Sequence, residues 1–100
     1  MQPEWGSVMT PLEFDWDDGN QDHIARHNVA TDEAEQVVTG PHVILRFQDR
    51  SGEFRRLIVG RTAAGRPLSI TYVMRGGRIR VVTAHTAKEK WRRVLDQRGL

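Results

Sequence analysis

The spacing of apolar positions changes once along this chain, at Gly40-Pro41. Before that point the pattern is helical. Phe14–Trp16 reads as a short strand. Asp17 or Asp18 then caps a helix running to about His27, since a carboxylate accepts bonds from the unpaired N–H groups of a first turn. Asn28 tolerates the left-handed conformation that ends a helix, and Val29 folds back on it. Thr31 is the expected N-cap of a second helix, with Asp32 and Glu33 at its positive end. Ala34, Val37 and Val38 form its apolar face, and Gly40-Pro41 stops it.

After Pro41 the period becomes two. Val43–Gln48, Phe54–Arg61, Arg66–Met74 and Arg78–Ala84 read as four strands. They are separated by turns at Asp49-Arg50-Ser51-Gly52, Thr62–Gly65 and Gly76-Gly77. The glycine pair marks a tight hairpin, because glycine accepts positive φ at no steric cost. A two-residue turn there sets Met74 opposite Ile79, Tyr72 opposite Val81 and Ile70 opposite Thr83, on one side with Leu68. That side faces the core. The other side carries Ser69, Thr71, Val73, Arg75, Arg78, Arg80 and Val82, and a bulge would exchange some of these positions.

Thr86-x-x-Glu89 has the form of a capping box opening a last helix. Ala87, Trp91 and Val94 or Leu95 form its docking stripe, with Lys88, Lys90, Arg92 and Arg93 around it. The order is two N-terminal helices, an antiparallel four-stranded sheet and a C-terminal helix, an α+β domain. It is expected to occupy residues 13–100, behind a tail over residues 1–12.

Composition narrows the class. One hundred residues supply one domain with a modest core. With no cysteine, disulfides and thiolate metal sites are excluded. No stretch is apolar enough to span a membrane, and no signal peptide is visible, so the cytoplasm is the expected location. Charge is divided unevenly. Residues 1–49 hold Arg26 and Arg46 against ten acids, and residues 50–100 hold thirteen Lys and Arg against Glu53, Glu89 and Asp96. One reading is that the halves attract each other within the fold. The reading given more weight here is a basic face for nucleic acid or an acidic partner.

Three segments taken together, FDWDDGNQDHIARHNVATDEAEQVV, VGRTAAGRPLSITYV and GGRIRVVTAHTA, resemble the BrnT family of small bacterial toxins over roughly residues 14–93. The correspondence rests on Phe14, Trp16-Asp17, His27-Asn28-Val29, Asp32-Glu33-Ala34, Gly65-Arg66 and Ile79-Arg80. The chain departs from the family pattern at His85, where an arginine is usual. It departs again at Trp91-Arg92 and Leu95, where a Glu-Arg pair and a tyrosine are usual.

The resemblance implies a RelE-like fold and an RNA endonuclease that needs no metal or cofactor. It also implies a cognate antitoxin of ribbon-helix-helix type as partner, with operator DNA met only through that antitoxin.

Metal-free RNA cleavage needs a base for the 2′-hydroxyl, cations for the phosphorane-like charge and an acid for the leaving oxygen. Histidine suits both proton roles and arginine the charge. His23, His27 and His85 are the candidates for proton transfer, with His85, before the basic helix, preferred. Arg66 and Arg80, inside the resembling segments, are the preferred phosphate ligands. Arg61, Arg78, Lys88, Lys90 and Arg92 are candidates for flanking RNA contacts.

Each has a plainer reading. His23 and His27 share a helical face at a spacing seen in zinc sites, but no third ligand pattern follows, so no metal is expected. His27 equally fits a helix-terminal histidine bonded to a carbonyl. The aspartates read as caps and surface, and Trp16 and Trp91 as core. Two other functions stay open: an inactive module of the same fold that binds nucleic acid or a partner, and an interaction protein that takes an acidic peptide.

Overall fold

The computed structural model describes residues 13–50 and 53–100. The expected tail over residues 1–12 lies outside these, as do residues 51 and 52 of the first turn. Helices α1 (Asp18–Ala25) and α2 (Thr31–Thr39) precede strands β1 (His42–Arg50), β2 (Glu53–Arg61), β3 (Pro67–Arg75) and β4 (Arg78–Thr86), and helix α3 (Glu89–Gln97) follows. The strands form one antiparallel sheet in the order β1-β2-β3-β4, so the domain is α+β.

Each helix starts for a local reason. Asp17 caps α1: its Oδ1 accepts from the Asn20 N–H at 3.1 Å, and Asn20 Oδ1 accepts from the Asp17 N–H at 2.8 Å. Asn28, at φ 59°, ends the turn after α1. In α2 the cap position falls on Ala30, not Thr31. Glu33 supplies the bond instead, accepting from the Ala30 N–H at 3.0 Å. The capping box expected at Thr86 is also absent. β4 runs through Thr86, and α3 begins after Lys88.

The sheet has two different faces. Ile58, Leu68, Ile70, Tyr72, Ile79, Val81 and Ala84 pack with Ile24 of α1, Val29, and Ala34, Val37 and Val38 of α2. On the opposite face Val43 and Val59 meet Ala87 and Leu95, with Trp91 and Val94 packed beside them. α3 covers only part of this second face, and the part toward the Gly76-Gly77 turn stays open. Gly76 and Gly77 both have positive φ (55° and 77°), as a tight hairpin requires.

Two register shifts decide which side chains reach the open face. Met74 pairs with Ile79 and Tyr72 with Val81 as expected, but a shift at Thr71/Tyr72 pairs Thr71 with Thr83, Ile70 with Ala84 and Ser69 with His85. Unbroken pairing would set His85 opposite the buried Leu68. The extra residue, Val82, moves it to the other face. A second shift, between Ile44 and Arg46 on β1, pairs Arg46 with Leu57.

The outer edge of β4 is partly closed. The Asp15 N–H donates to the Ile79 carbonyl at 2.8 Å, and the Ile79 N–H donates to the Glu13 carbonyl at 2.9 Å. Asn20, 5% exposed, donates from Nδ2 to the carbonyls of Asp15 (2.9 Å) and Val81 (3.2 Å). This one amide ties α1, the segment before it and β4 together.

Candidate functional site

Ile24 is completely buried and anchors α1. Burying such a side chain contributes roughly 1.5–3 kcal/mol. With Ile24 inside, His23 and His27 come to the β4 side of the helix. Their ring centroids are 5.8 Å apart, and His27 lies 5.1 Å from His85 of β4. Three imidazoles from two elements thus form a row along the sheet margin, with His27 and His85 exposed and His23 half-buried. Among the described residues no group of three or more His, Asp or Glu side chains is arranged to hold a metal ion.

The row has its own electrostatics. Packing withdraws part of the His85 ring from water, and His27, His23 and Lys88 add positive charge nearby. Both effects hold the His85 pKa below its ordinary 6.5. His42 has a different role: its Nδ1 lies 3.1 Å from the Val37 carbonyl and 3.0 Å from the Gly40 carbonyl. Both partners are acceptors, so this nitrogen carries the proton and ties the end of α2 to β1.

Arg66 lies at one end of the row. Its guanidinium donates to the Asn28 carbonyl (2.7 Å), to Glu33 (3.0 Å) and to the Thr86 hydroxyl (3.3 Å). It therefore clamps the turn after His27 to α2 and to the end of β4. The Ala30 N–H and Arg66 overcome the effect of burial and hold the Glu33 carboxyl below the usual carboxylate range.

At the other end, Arg80 meets Asp17 at 2.9 Å and Asp15 at 3.7 Å. Arg80, hydrogen-bonded to Asp17, lowers the Asp17 pKa, and its own is raised in return. Between α1 and β4 lies a cavity of about 310 Å³ lined by Gly19, Asn20, His23, Arg80 and Thr83, which connects Arg80 to the imidazole row.

The remaining predicted residues divide. Lys88 lies two residues past the end of β4, near enough to act on His85, and makes no ion pair among the described residues. Lys90 lies 4.6 Å over the Trp91 ring, and Arg92 is on exposed α3 surface. Arg61 is elsewhere. It donates to the Leu100 carbonyl (3.1 Å) and pairs with Asp96 (2.7 Å), holding the end of α3 to the sheet. Arg78 lies at the hairpin end, 3.7 Å from Glu13.

Sequence reasoning missed a group on the open face. Arg46 and Gln48 of β1, Arg55 and Leu57 of β2 and Thr71 of β3 line a cavity of about 240 Å³. With Arg75, Arg78 and Arg80, the register gives every strand an arginine on this face. The missed signal is the sequence Ile-Leu-Arg-Phe at 44–47, where strict alternation fails.

A family model described as "Ribonuclease toxin, BrnT, of type II toxin-antitoxin system" matches residues 16–90. The chain belongs to the BrnT family. It is thereby placed among the ribonuclease toxins of type II toxin–antitoxin systems, for which RNA is the substrate and an antitoxin the partner. A search of curated proteins returns no match. Both departures from the BrnT pattern in α3 lie on its side toward the sheet, next to the open part of that face: Leu95 is fully buried, and the half-buried Trp91 packs beside it. His85, the third departure, heads the imidazole row. No helix among the described residues is long and apolar enough to cross a membrane.

Proposed function

We propose that this BrnT-family chain cleaves RNA without a metal, using the His27–His85 pair for proton transfer. His85, held toward its neutral form, takes the proton of a 2′-hydroxyl. That oxygen attacks the adjacent phosphorus, and the bond from phosphorus to the 5′ oxygen breaks. Protonated His27 gives its proton to the leaving oxygen, so the products are a 2′,3′-cyclic phosphate and a free 5′-hydroxyl. Lys88 stands beside the pair to meet the phosphate. Arg66 makes three hydrogen bonds in the structure, and a guanidinium has five N–H donors, so it retains donors for the phosphorane-like charge. Arg80 also keeps free donors, but it faces two carboxylates, Asp17 and Asp15, and is the weaker candidate for that role. Lys90, Arg92, Arg78 and Arg61 are left for flanking RNA.

The observation that carries this reading is the 5.1 Å approach of two exposed imidazoles from different elements. The test is RNA incubated with the purified chain in EDTA. Cleavage is expected, with His85→Ala and His27→Ala each slower by about a hundredfold or more. Absence of cleavage by the wild-type chain, or full rates in both variants, would remove the proposal.

The wider setting belongs to the same proposal. The domain over residues 13–100 is RelE-like and acts in the cytoplasm. A ribbon-helix-helix antitoxin neutralises it and is its only link to operator DNA. A second reading, a binding module without turnover, is favoured by one observation: Arg66 and Arg80 are both paired with carboxylates. Salt-sensitive RNA binding with no cleavage would establish that reading.

A further inference from the structure

The arginines of the open face differ in how they are engaged. Arg56 belongs to the helix side of the sheet, lies 4.4 Å over the Phe54 ring and donates to the Tyr72 hydroxyl at 3.3 Å. Arg75 is tied to Glu53 at 2.9 Å, Arg80 to Asp17 at 2.9 Å and Arg61 to Asp96 at 2.7 Å. Arg46 pairs with no carboxylate among the described residues. Arg55 has only Glu53 at 3.7 Å, too long for a hydrogen bond, and the other oxygen of that carboxylate is held by Arg75. These two little-engaged guanidiniums line the same cavity of about 240 Å³, above the apolar Leu57, with the Gln48 amide and the Thr71 hydroxyl.

This cavity adjoins the imidazole side of the sheet. Thr71, on its wall, pairs directly with Thr83, which lines the groove containing His23 and Arg80. Neighbouring strands lie ~4.8 Å apart, so β1 and β4 are roughly 14 Å apart across the sheet. A mononucleotide fills one site but not both. An oligonucleotide laid across the strands reaches both.

We infer that the Arg46–Arg55 cavity is a second RNA subsite, which binds a backbone phosphate of the same single strand several nucleotides from the bond cleaved at the His27–His85 pair. This rests on the RNA-cleavage reading above. Two guanidinium forks meet the phosphate oxygens, while Gln48 and Thr71 offer donors and acceptors to the adjoining ribose. The subsite adds binding for long substrates and takes no part in proton transfer.

The test compares the full chain with the Arg46→Gln/Arg55→Gln double variant, using Arg93→Gln on the far surface of α3 as control. On RNA long enough to cross the sheet, the double variant is expected to raise KM about tenfold, with kcat within about twofold. The log–log salt dependence of binding should weaken by roughly 0.7, the share of one phosphate contact on a single strand. A dinucleotide substrate, too short to reach the cavity, should be cleaved alike by wild type and variant. Unchanged KM and salt dependence on long RNA, or an equal loss on the dinucleotide, would overturn the subsite.

Binding of an uncleavable 2′-O-methylated oligoribonucleotide separates this proposal from the one it rests on. If the wild-type chain does not cleave but the oligonucleotide binds through Arg46 and Arg55, the nuclease reading fails and the subsite stands. If the oligonucleotide binds both proteins equally, the subsite fails, including where the same two arginines prove to bind an acidic segment of the antitoxin.

Discussion

The rings of His27 and His85 lie 5.1 Å apart, though one closes the turn after α1 and the other sits near the end of β4. Neither element brings them together alone. α1 is positioned by Ile24 and Asn20, and His85 by the shift that gives β4 an extra residue.

The His85 pKa is depressed, so the folded chain takes up that proton less readily than the unfolded chain. Its contribution to stability is complete above 6.5 and is lost as the pH falls toward the folded-state value. As a base, His85 should place the acid limb of the kcat/KM profile below 6.5. His23→Gln removes one of the positive neighbours and should move that limb upward. A limb at or above 6.5, unmoved in the variant, would show that His85 is not the group being titrated.

Arg66→Lys tests the clamp. An ammonium cannot bridge three oxygens as the planar fork does. The ion pair is about seven-tenths shielded, with side-chain exposures of 29% and 27%, so the loss should be modest, about 1 kcal/mol in urea unfolding. The cleavage rate should fall further than this stability loss explains, because the turn holding His27 is no longer pinned to Thr86. Wild-type rate and stability together would deny Arg66 the clamping role.

Asn20→Ala should be costly for a polar-to-alanine change in so short a helix. It strips the partners of the Asp17 N–H and of the Asp15 and Val81 carbonyls. Groups left unsatisfied in this way cost about 1–3 kcal/mol. Urea unfolding gives the magnitude, and hydrogen exchange should show α1 opening before the sheet.

Gly60→Ala tests how closely α2 approaches β2. A Cβ there would lie 3.0 Å from Val37 Cγ1 and 3.1 Å from both the His42 Cβ and the Pro41 carbonyl oxygen. Overpacking of this kind costs about 1–3 kcal/mol. An unchanged urea midpoint would mean that the junction yields more easily than its spacing implies.

Most of the architecture was legible in the sequence. The change of period at Gly40-Pro41 separated helices from strands, the glycine pair gave the β3–β4 hairpin, and Asp17 and Asn28 bracketed α1. The failures were of two physical kinds. Thr31 and Thr86 suit helix caps by type, but backbone pairing carried β4 through Thr86, and Glu33 satisfied the start of α2. Arg46 was hidden by a bulge, and a second bulge reversed the face of His85, which its place before the basic helix had already singled out. Alternation assigns a face to each residue only while register is unbroken, and one extra residue reverses every assignment beyond it. Both bulges turn a residue toward the second face of the sheet, so the facing of Arg46 and His85 was the part least readable by period.

The bonds from Glu13, Asp15 and Asn20 along the outer side of β4 also bear on how copies of this chain meet one another. Antiparallel sheets are prone to stack margin to margin into aggregates wherever a flat row of free N–H and carbonyl groups is left uncovered. Here one margin is occupied near Ile79 and Val81, and the other is bent by the irregularity at Ile44/Arg46. Concentrated solutions of the chain should therefore resist forming β-rich fibres, even though Ile44 and Phe47 lie exposed on that second margin.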